Sequence, residues 1–204
     1  MTQASPAATD LALFDFDHTL THADSFGRFL RDLATPAQLA AARWKLGPWL
    51  AGYRLGLVSA ARLRARAVRL AFTGRSEAEI RDHGARHARD VLAGMLRPEM
   101  MQRLAWHRGE GHAVVLVSAS LDVYLQPWCD EHGLQLICNR LEARKGVLSG
   151  RYDQGDCGPH KARHIRARYD VAAYRQVHAY GDSREDLDML ALAQQRWYRG
   201  RLLD

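Results

Sequence analysis

Short apolar runs that stop at polar residues predict the strands of this chain. LALFDF at residues 11–16 precedes the polar segment DHTLTHAD, and HAVVLV at 112–117 precedes Ser118-Ala119-Ser120. Runs of this length, bounded by polar turns, are typical of buried strands. Further strands are predicted at residues 134–139, 176–180 and 194–199, and a ribbon turning at Lys145-Gly146 is predicted at 141–153. Helical patterns at 121–132, 160–169 and 184–193 separate them, which predicts an α/β fold with a doubly wound parallel sheet.

A long helical block interrupts this alternation directly after the first strand. From about Ser25 to Gly109 the apolar positions recur at helical spacing, and no strand candidate appears. The pattern therefore predicts an insertion into an α/β core. The predicted parts are a disordered tail at residues 1–10, a core at 11–21 and 93–204, and a helical cap at 22–92.

The composition is that of an ordinary globular protein, because 47% of the 204 residues are hydrophobic and 25% are charged. The three cysteines form no C-x-x-C pair, so neither a disulfide framework nor a zinc knuckle is indicated. The first ten residues, MTQASPAATD, lack the basic and apolar regions of a signal peptide, and no stretch is apolar enough to span a membrane. We therefore expect a cytoplasmic protein.

The net charge of +6 is unevenly distributed. No acidic residue lies between Asp32 and Glu77, although eight arginines and lysines do. This segment suits an anionic substrate, an anionic membrane surface or nucleic acid, and a solvated helix face explains it equally well. Within it, LGPWLAGYRLGLV at residues 46–58 favours a buried face of a cap helix. The alternative is peripheral contact with lipid phosphate at an anionic membrane surface.

Polar residues follow the predicted strands where a parallel sheet forms its binding crevice. The set consists of Asp15, Asp17, Ser118, Lys161, Asp182, Ser183 and Asp186. Each alone fits an Asx-turn, a helix cap or a surface position. Together, several carboxylates in one crevice repel one another unless a cation lies among them. Because all the candidate ligands are oxygen atoms, the cation indicated is Mg²⁺.

A cation beside a carboxylate, a lysine and a serine suits a phosphoryl group, whose oxygens need charge neutralisation during transfer. A carboxylate can attack phosphorus directly and form an aspartyl-phosphate that water then hydrolyses. A second carboxylate two residues later can protonate the leaving oxygen and afterwards activate the water. Asp15 and Asp17 have this spacing.

Four segments resemble, in order and spacing, the motifs of the haloacid-dehalogenase-like phosphatase superfamily. They are DFDHTLT (15–21), VSAS (117–120), GPHK (158–161) and GDSREDLDML (181–190). The helical insertion after the first motif is similar to the cap of subfamily IB, the phosphoserine-phosphatase-like branch. The resemblance covers residues 11–199. It implies a Rossmann-like core and a Mg²⁺-dependent phosphomonoester hydrolase acting on a small phosphorylated metabolite, with phosphoserine-like substrates included.

The resemblance also implies roles for the acidic residues. Asp15 would be the nucleophile and a Mg²⁺ ligand. Asp17 would be the general acid and base, with its backbone carbonyl on the metal. Asp182 would complete the metal site. Asp186 would be either a further ligand or the group that orients the metal's water ligands.

The remaining implied roles concern phosphate binding and specificity. Ser118 and Lys161 would hold the phosphoryl oxygens, Lys161 would balance the charge of Asp15, and Thr19 would support the phosphate loop. Asp24 stands where phosphoserine phosphatases have a glutamate for the substrate amino group, and Arg66 loosely matches their cap arginine. Both are specificity candidates. The motif also departs from the family pattern at position 18, where His replaces the commoner Gly.

Alternative functions remain open. DSFGRFLR (24–31), CGPHK (157–161) and QRWYRGRL (195–202) are similar to stretches of phosphatidylglycerophosphate phosphatases in the same branch, which suggests a lipid phosphate as substrate. A non-catalytic phospho-accepting receiver combines similar residues on a similar sheet. A mutase or phosphotransferase would share the whole active site. The remaining class is a basic module at residues 41–75 that binds nucleic acid or a membrane. If the protein is an enzyme, no nucleic-acid partner is expected.

Overall fold

A computed structural model describes residues 9–203, and its centre is a six-stranded sheet in the order β3-β2-β1-β6-β7-β8. Neighbouring strands are parallel except for β8, which is antiparallel to β7. Strands β4 and β5 form a separate antiparallel ribbon. The strands are β1 (Leu11–Phe14), β2 (Ala113–Leu121), β3 (Gln135–Asn139), β4 (Leu141–Arg144), β5 (Val147–Tyr152), β6 (Val177–Gly181), β7 (Gln195–Tyr198) and β8 (Arg201–Leu203).

Helices cover both faces of this sheet, which confirms the predicted doubly wound α/β fold. Alternate residues of β1 belong to different cores, because Phe14 packs with the helices that follow β1, whereas Leu13 packs with Ile165 and Met189. The helices are α1 (Ser25–Leu33), α2 (Pro36–Arg54), α3 (Ala60–Phe72), α4 (Glu77–Asp90), α5 (Pro98–Gly109), α6 (Asp122–His132), α7 (Lys161–Arg166) and α8 (Leu187–Leu190).

Strand β1 lies at the centre of the sheet, and all four of its residues are buried. Leu13 pairs with Val115 of β2 on one side and with Ala179 of β6 on the other. Strands buried on both faces read as continuous apolar runs, which is why the sequence predicts this one. The central position brings the segment after Phe14 between the ends of β2 and β6.

The end of β2 and the last strand differ from the prediction. Strand β2 continues to Leu121, and its pairing with β3 shifts between Val117 and Leu121, so the small residues 118–120 lie in an irregular part of the strand. Strand β8 was not predicted, because a three-residue exposed edge strand leaves almost no pattern. Arg199 and Gly200, both with positive φ, form the turn that precedes it.

The predicted disordered tail needs a correction at its end. Residues 1–8 lie outside the described part of the chain. Asp10 belongs to the fold, because its side chain is buried and accepts a hydrogen bond of 2.8 Å from Arg175 Nε. Its backbone carbonyl accepts from Ala113 N at 2.9 Å, which extends the β1–β2 pairing by one residue.

The apolar stretch at residues 46–58 lies mostly at the surface. Helix α2 contains no buried residue, and in the stretch itself Leu55 is 73% exposed and Leu57 76% exposed. The favoured interpretation of this stretch as a buried helix face is therefore wrong. Within residues 9–203, no helix combines the length and apolarity that crossing a bilayer requires.

Helix α4 packs closely on α6, and a glycine makes this contact possible. A Cβ atom at Gly84 would lie 2.1 Å from the carbonyl oxygen of Val123, whereas one at Gly109 would meet nothing within 4 Å. Alanine favours a helix over glycine by about 1 kcal/mol. The backbone clash at Gly84 outweighs this gain, because the carbonyl of Val123 cannot rotate away as a flexible side chain can.

We expect Gly84→Ala to lower the free energy of unfolding by about 1–3 kcal/mol, as overpacked sites do. Gly109→Ala, its control, should leave the stability unchanged or raise it. Urea unfolding followed by circular dichroism measures both. A Gly84→Ala protein as stable as wild type would contradict the close approach of α4 and α6.

Candidate active site

The Lys161 ammonium group joins two carboxylates from separate parts of the sheet edge. Lys161 is the first residue of α7, and its Nζ donates hydrogen bonds of 2.5 Å to Asp15 Oδ1 and to Asp186 Oδ1. Asp15 follows β1 and is anchored by its backbone N, which donates to the carbonyl of Tyr180 in β6 at 2.9 Å. All three side chains are buried, so the ammonium and the carboxylates meet away from water.

Three carboxylates converge at this point. One oxygen each of Asp15, Asp182 and Asp186 lies within 4.8 Å of the others. Burial raises the pKa of Asp15 to about 8, although Lys161 opposes the shift. Burial, and then the charge of Asp186, also raises the pKa of Asp182. The ionised forms of Asp15 and Asp182 are therefore disfavoured unless a further cation binds beside Lys161, and the all-oxygen donor set fits Mg²⁺.

Asp186 already has a full set of hydrogen-bond partners. Its Oδ2 accepts from Asp182 N (3.1 Å), Ser183 N (2.8 Å) and Ser183 Oγ (2.7 Å), while Oδ1 accepts from Lys161. Burial alone would raise the pKa of Asp186, but Lys161 and these donors lower it. Asp186 thus fixes both the ammonium group and the loop that carries Asp182. Gly181 belongs to the same arrangement, since a Cβ there would lie 2.5 Å from the Cβ of Asp186.

Asp17 is held by two donors from different elements. Its Oδ1 accepts from Ser25 N in α1 at 2.6 Å, and its Oδ2 accepts from Ser120 Oγ in β2 at 2.5 Å. Ser25 Oγ also lies 3.1 Å from the hydroxyl of Tyr124 in α6. Burial raises the pKa of Asp17, which these donors oppose. Neither Ser25 nor Tyr124 has a role predicted from sequence, because no local pattern marks contacts between such distant segments.

The first loop places Thr19 and His18 around Asp15. Thr19 Oγ1 donates to Asp15 Oδ2 at 3.3 Å, so this side chain contacts the predicted nucleophile itself. His18 has a φ of 60°, in the left-handed region that favours glycine. Ser118 is buried on β2, and its Oγ accepts from Ser120 N at 3.1 Å, which leaves the hydroxyl hydrogen available to a ligand.

The two specificity candidates do not meet at this site. The exposed Asp24 carboxylate caps α1 by accepting from Gly27 N at 3.0 Å, although its charge contributes to the raised pKa of Asp17. Arg66 lies over the ring of Trp49, with 5.9 Å between the guanidinium carbon and the ring centroid. Trp49 belongs to α2, so this contact lies within the helical insertion.

Arg64, two residues earlier in α3, reaches the core instead. Its Nε and Nη2 donate to the two carboxylate oxygens of Asp156 at 3.0 and 3.1 Å, and Nη2 also donates to Glu185 at 2.9 Å. Asp156 in turn accepts from Gly158 N at 2.9 Å, just before Lys161. The sequence could not single out Arg64, because eight cations share that segment and only the fold shows which one faces the core.

A second group of titratable side chains lies at the opposite end of the strands. One ring nitrogen each of His107, His112 and His178 lies within 4.8 Å of the others. His107 Nε2 is 2.9 Å from the Tyr180 hydroxyl, and His178 Nε2 is 3.2 Å from Asp10 Oδ2. Burial, together with the neighbouring histidines, lowers the pKa of His107 to about 3. The three rings therefore form a hydrogen-bonded network with Tyr180 and Asp10, and its members are too far apart in sequence to form a recognisable ligand motif.

Comparisons with known proteins agree with this geometry. The model of the haloacid dehalogenase-like hydrolase family matches residues 12–191. The chain is 33% identical to Protein CicA of Caulobacter vibrioides (strain NA1000 / CB15N), over 93% of this chain and 85% of that protein. A protein with unknown function from Bordetella pertussis Tohama I has a TM-score of 0.80 at 24% identity, covering 92% of this chain and 88% of that one.

A substrate-bound phosphoserine phosphatase has a TM-score of 0.67 at 17% identity, covering 93% of this chain and 85% of that chain. This likeness shows a shared fold. The family match spans most of the chain, including all four motifs that carry the resemblance. The chain belongs to the haloacid dehalogenase-like hydrolase family.

Proposed function

We propose that this protein is a Mg²⁺-dependent phosphatase that cleaves phosphomonoesters through an aspartyl-phosphate formed on Asp15. The observation that carries the proposal is the ammonium group of Lys161 buried between Asp15 and Asp186, next to Asp182. A carboxylate held in this way is oriented for attack, and the adjoining positive charge suits a phosphoryl group.

The carboxylates of Asp15 and Asp182 and the backbone carbonyl of Asp17 would hold the metal. When bound, Mg²⁺ would neutralise charge on the phosphoryl oxygens. Asp186 would position Lys161 and the Asp182 loop, because its own oxygens are already occupied by protein donors. Of the two roles open to Asp186, we therefore favour orientation over direct ligation.

The protein's own residues divide the reaction into two steps. In the first, Asp15 attacks phosphorus while Lys161 and the Ser118 hydroxyl bind the phosphoryl oxygens, and Asp17 gives its proton to the leaving oxygen. In the second, Asp17 takes a proton from the attacking water. The raised pKa of Asp17 supports the first step, since it favours the protonated acid. Ser25 and Ser120 keep that carboxyl group in place.

The proposed substrate is a small phosphorylated metabolite, and the proposed location is the cytoplasm. Helices α1 to α4 would act as the cap over the site. A phosphoserine-like substrate would need Asp24 for its amino group, and that carboxylate caps α1 in this structure. Arg64 is better placed than Arg66 to act between the cap and the core, because it already bonds to Asp156 and Glu185.

Each of the two catalytic carboxylates should be required for turnover. We expect Asp15→Asn to lower turnover of p-nitrophenyl phosphate by about 10⁴-fold or more. Asp17→Asn should lower it by about 10²- to 10⁴-fold, because the water that hydrolyses the aspartyl-phosphate loses its general base. Inorganic phosphate release with Mg²⁺ present measures both rates.

Asp153→Asn, at an exposed position, is the matched control and should keep wild-type turnover. A receiver protein would accept a phosphoryl group but release phosphate slowly even as wild type. Unchanged turnover in Asp15→Asn would overturn the assignment of the nucleophile.

Metal binding can be tested without turnover. We expect Mg²⁺ to raise the thermal midpoint of the wild type, because a ligand that binds only the folded state stabilises it. Asp182→Asn should lose most of this shift. Without Mg²⁺ it should be at least as stable as wild type, because a raised pKa means that ionised Asp182 is disfavoured in the fold. If Asp182→Asn keeps the Mg²⁺ response that Asp153→Asn shows, the proposed ligand set is wrong.

A lipid phosphate at an anionic membrane is the second candidate substrate, and the exposed face of α2 supports it. Trp44, Leu55 and Leu57 project from a region that also carries Arg43 and Arg54. Exposed apolar side chains interspersed with cations are typical of peripheral attachment to anionic bilayers. A cavity of about 310 Å³ between α1, α2 and α3, lined mostly by leucine and alanine, adds an apolar site in the same insertion.

This candidate predicts binding to vesicles of equal parts phosphatidylcholine and phosphatidylglycerol, weakened by salt because the attraction is screened. Cosedimentation should show less binding for Trp44→Ser and Leu57→Ser. Leu202→Ser, at a half-exposed position on β8, should bind as wild type does. Equal binding to pure phosphatidylcholine vesicles would remove the electrostatic part of the proposal.

A further inference from the structure

A cavity of about 460 Å³ opens beside the active site, between the first loop, α5 and the ends of β6 and β7. One wall belongs to the site itself and consists of His18, Thr19 and Asp182. The cavity is also lined by three arginines, which are Arg97, Arg103 and Arg199. No role in phosphoryl transfer falls to these arginines, so their presence at this cavity needs a separate explanation.

The guanidinium group of Arg103 lies over two indole rings. Its guanidinium carbon lies 5.4 Å from the ring centroid of Trp106 and 5.0 Å from that of Trp197. In the part of the chain that the structure describes, Arg103 has no carboxylate partner and no side-chain hydrogen bond. A cation–π contact consumes no N–H donor, so the five N–H donors of the guanidinium group stay free. Arg103 is therefore oriented but its donors are unpaired.

The ring beneath Arg103 is itself fixed. Trp197 stacks on Tyr180 with 6.0 Å between centroids, and Tyr180 stacks on Phe14 of β1 at 4.3 Å. This column of rings ties the guanidinium group to the centre of the sheet. Because its position is preorganised, Arg103 would lose little conformational freedom when it binds a ligand.

The charges around the cavity favour an anion. Arg199 Nε donates to the backbone carbonyl of Asp182 at 2.8 Å, which keeps its positive charge without neutralising it. Arg97 Nη1 lies 3.7 Å from Glu99 Oε1, and the side chain of Glu99 is itself 65% exposed. Two acidic residues line the cavity. They are Glu99 and Asp182, and Asp182 belongs to the cluster of three carboxylates with Asp15 and Asp186. Three guanidinium groups thus face one solvated carboxylate.

We propose that this cavity is a second anion-binding site, with Arg103 as its main donor for a phosphate, sulfate or carboxylate group. A planar guanidinium group with free donors matches such oxyanions in a bidentate geometry. The anion has two chemical sources. It is either a free anion or a second acidic group of the substrate, and the latter source rests on the proposed phosphatase activity.

The free anion is tested by titrating the wild-type protein with sodium sulfate and following tryptophan fluorescence, because two indoles flank Arg103. We expect Arg103→Met to weaken this binding by about tenfold or more, as the loss of a charge-assisted pair implies. The sulfate affinity of Arg103→Lys should lie between those of wild type and Arg103→Met, since lysine keeps the charge but cannot donate two parallel hydrogen bonds. Arg108→Met, an exposed arginine on the same helix, is the matched control and should bind as wild type.

The second source is tested with 4-carboxyphenyl phosphate and its methyl ester. If the substrate supplies the anion, Arg103→Met should raise KM for the carboxylate about tenfold or more while leaving kcat and the ester's KM within about twofold. An effect in either arm supports the site and identifies the source. If Arg103→Met and Arg103→Lys, folded as judged by circular dichroism, match wild type in both arms, the site is overturned. If the wild type hydrolyses neither of the two aryl phosphates, the proposed function is refuted instead. The sulfate titration would still decide whether the cavity binds an anion.

Discussion

The buried ammonium group of Lys161 is the interaction on which the rest of the site depends. Removing a charged group from water costs several kcal/mol, and a buried pair recovers this only with close contacts and further hydrogen bonds. Lys161 meets Asp15 and Asp186, and their charges raise the pKa of Lys161 although burial opposes the shift. Two carboxylates share one ammonium group, and Asp182 adds a third, so the site attracts a further cation.

This constraint extends to the residues around the ammonium group. Asp186 can reach Lys161 only because residue 181 is glycine, since a Cβ there would collide with the Asp186 side chain. The backbone N–H groups of Asp182 and Ser183 then bind the other oxygen of Asp186, which fixes the loop after β6. The arrangement of the loop that carries Asp182 is thus a consequence of how the charge of Lys161 is satisfied.

Features that depend on strand ends and short spacings can be predicted from the sequence. Asp15 and Asp182 are predicted correctly as neighbours in one crevice, because parallel strands bring their carboxyl ends to the same edge. The predicted burial of residues 46–58 is wrong, since apolar residues on several sides of a helix give no preferred face to bury. Arg103 could not be found from sequence, because its position depends on Trp197, a residue from the far end of the chain.

The contact between the helical insertion and the core resembles the Lys161 site, because in both places one cation pairs with two carboxylates. Arg64 is only 16% exposed and lies between Asp156 and Glu185, so a single cation again serves two carboxylates. Gly158 packs directly against this group, because a Cβ there would lie 2.4 Å from both Arg64 Nη2 and Glu185 Oε2. Gly158 also begins the turn that leads into Lys161. The helical insertion and the Lys161 ammonium group are therefore linked through one short segment, so a change in the contacts of Arg64 should also alter the position of Lys161.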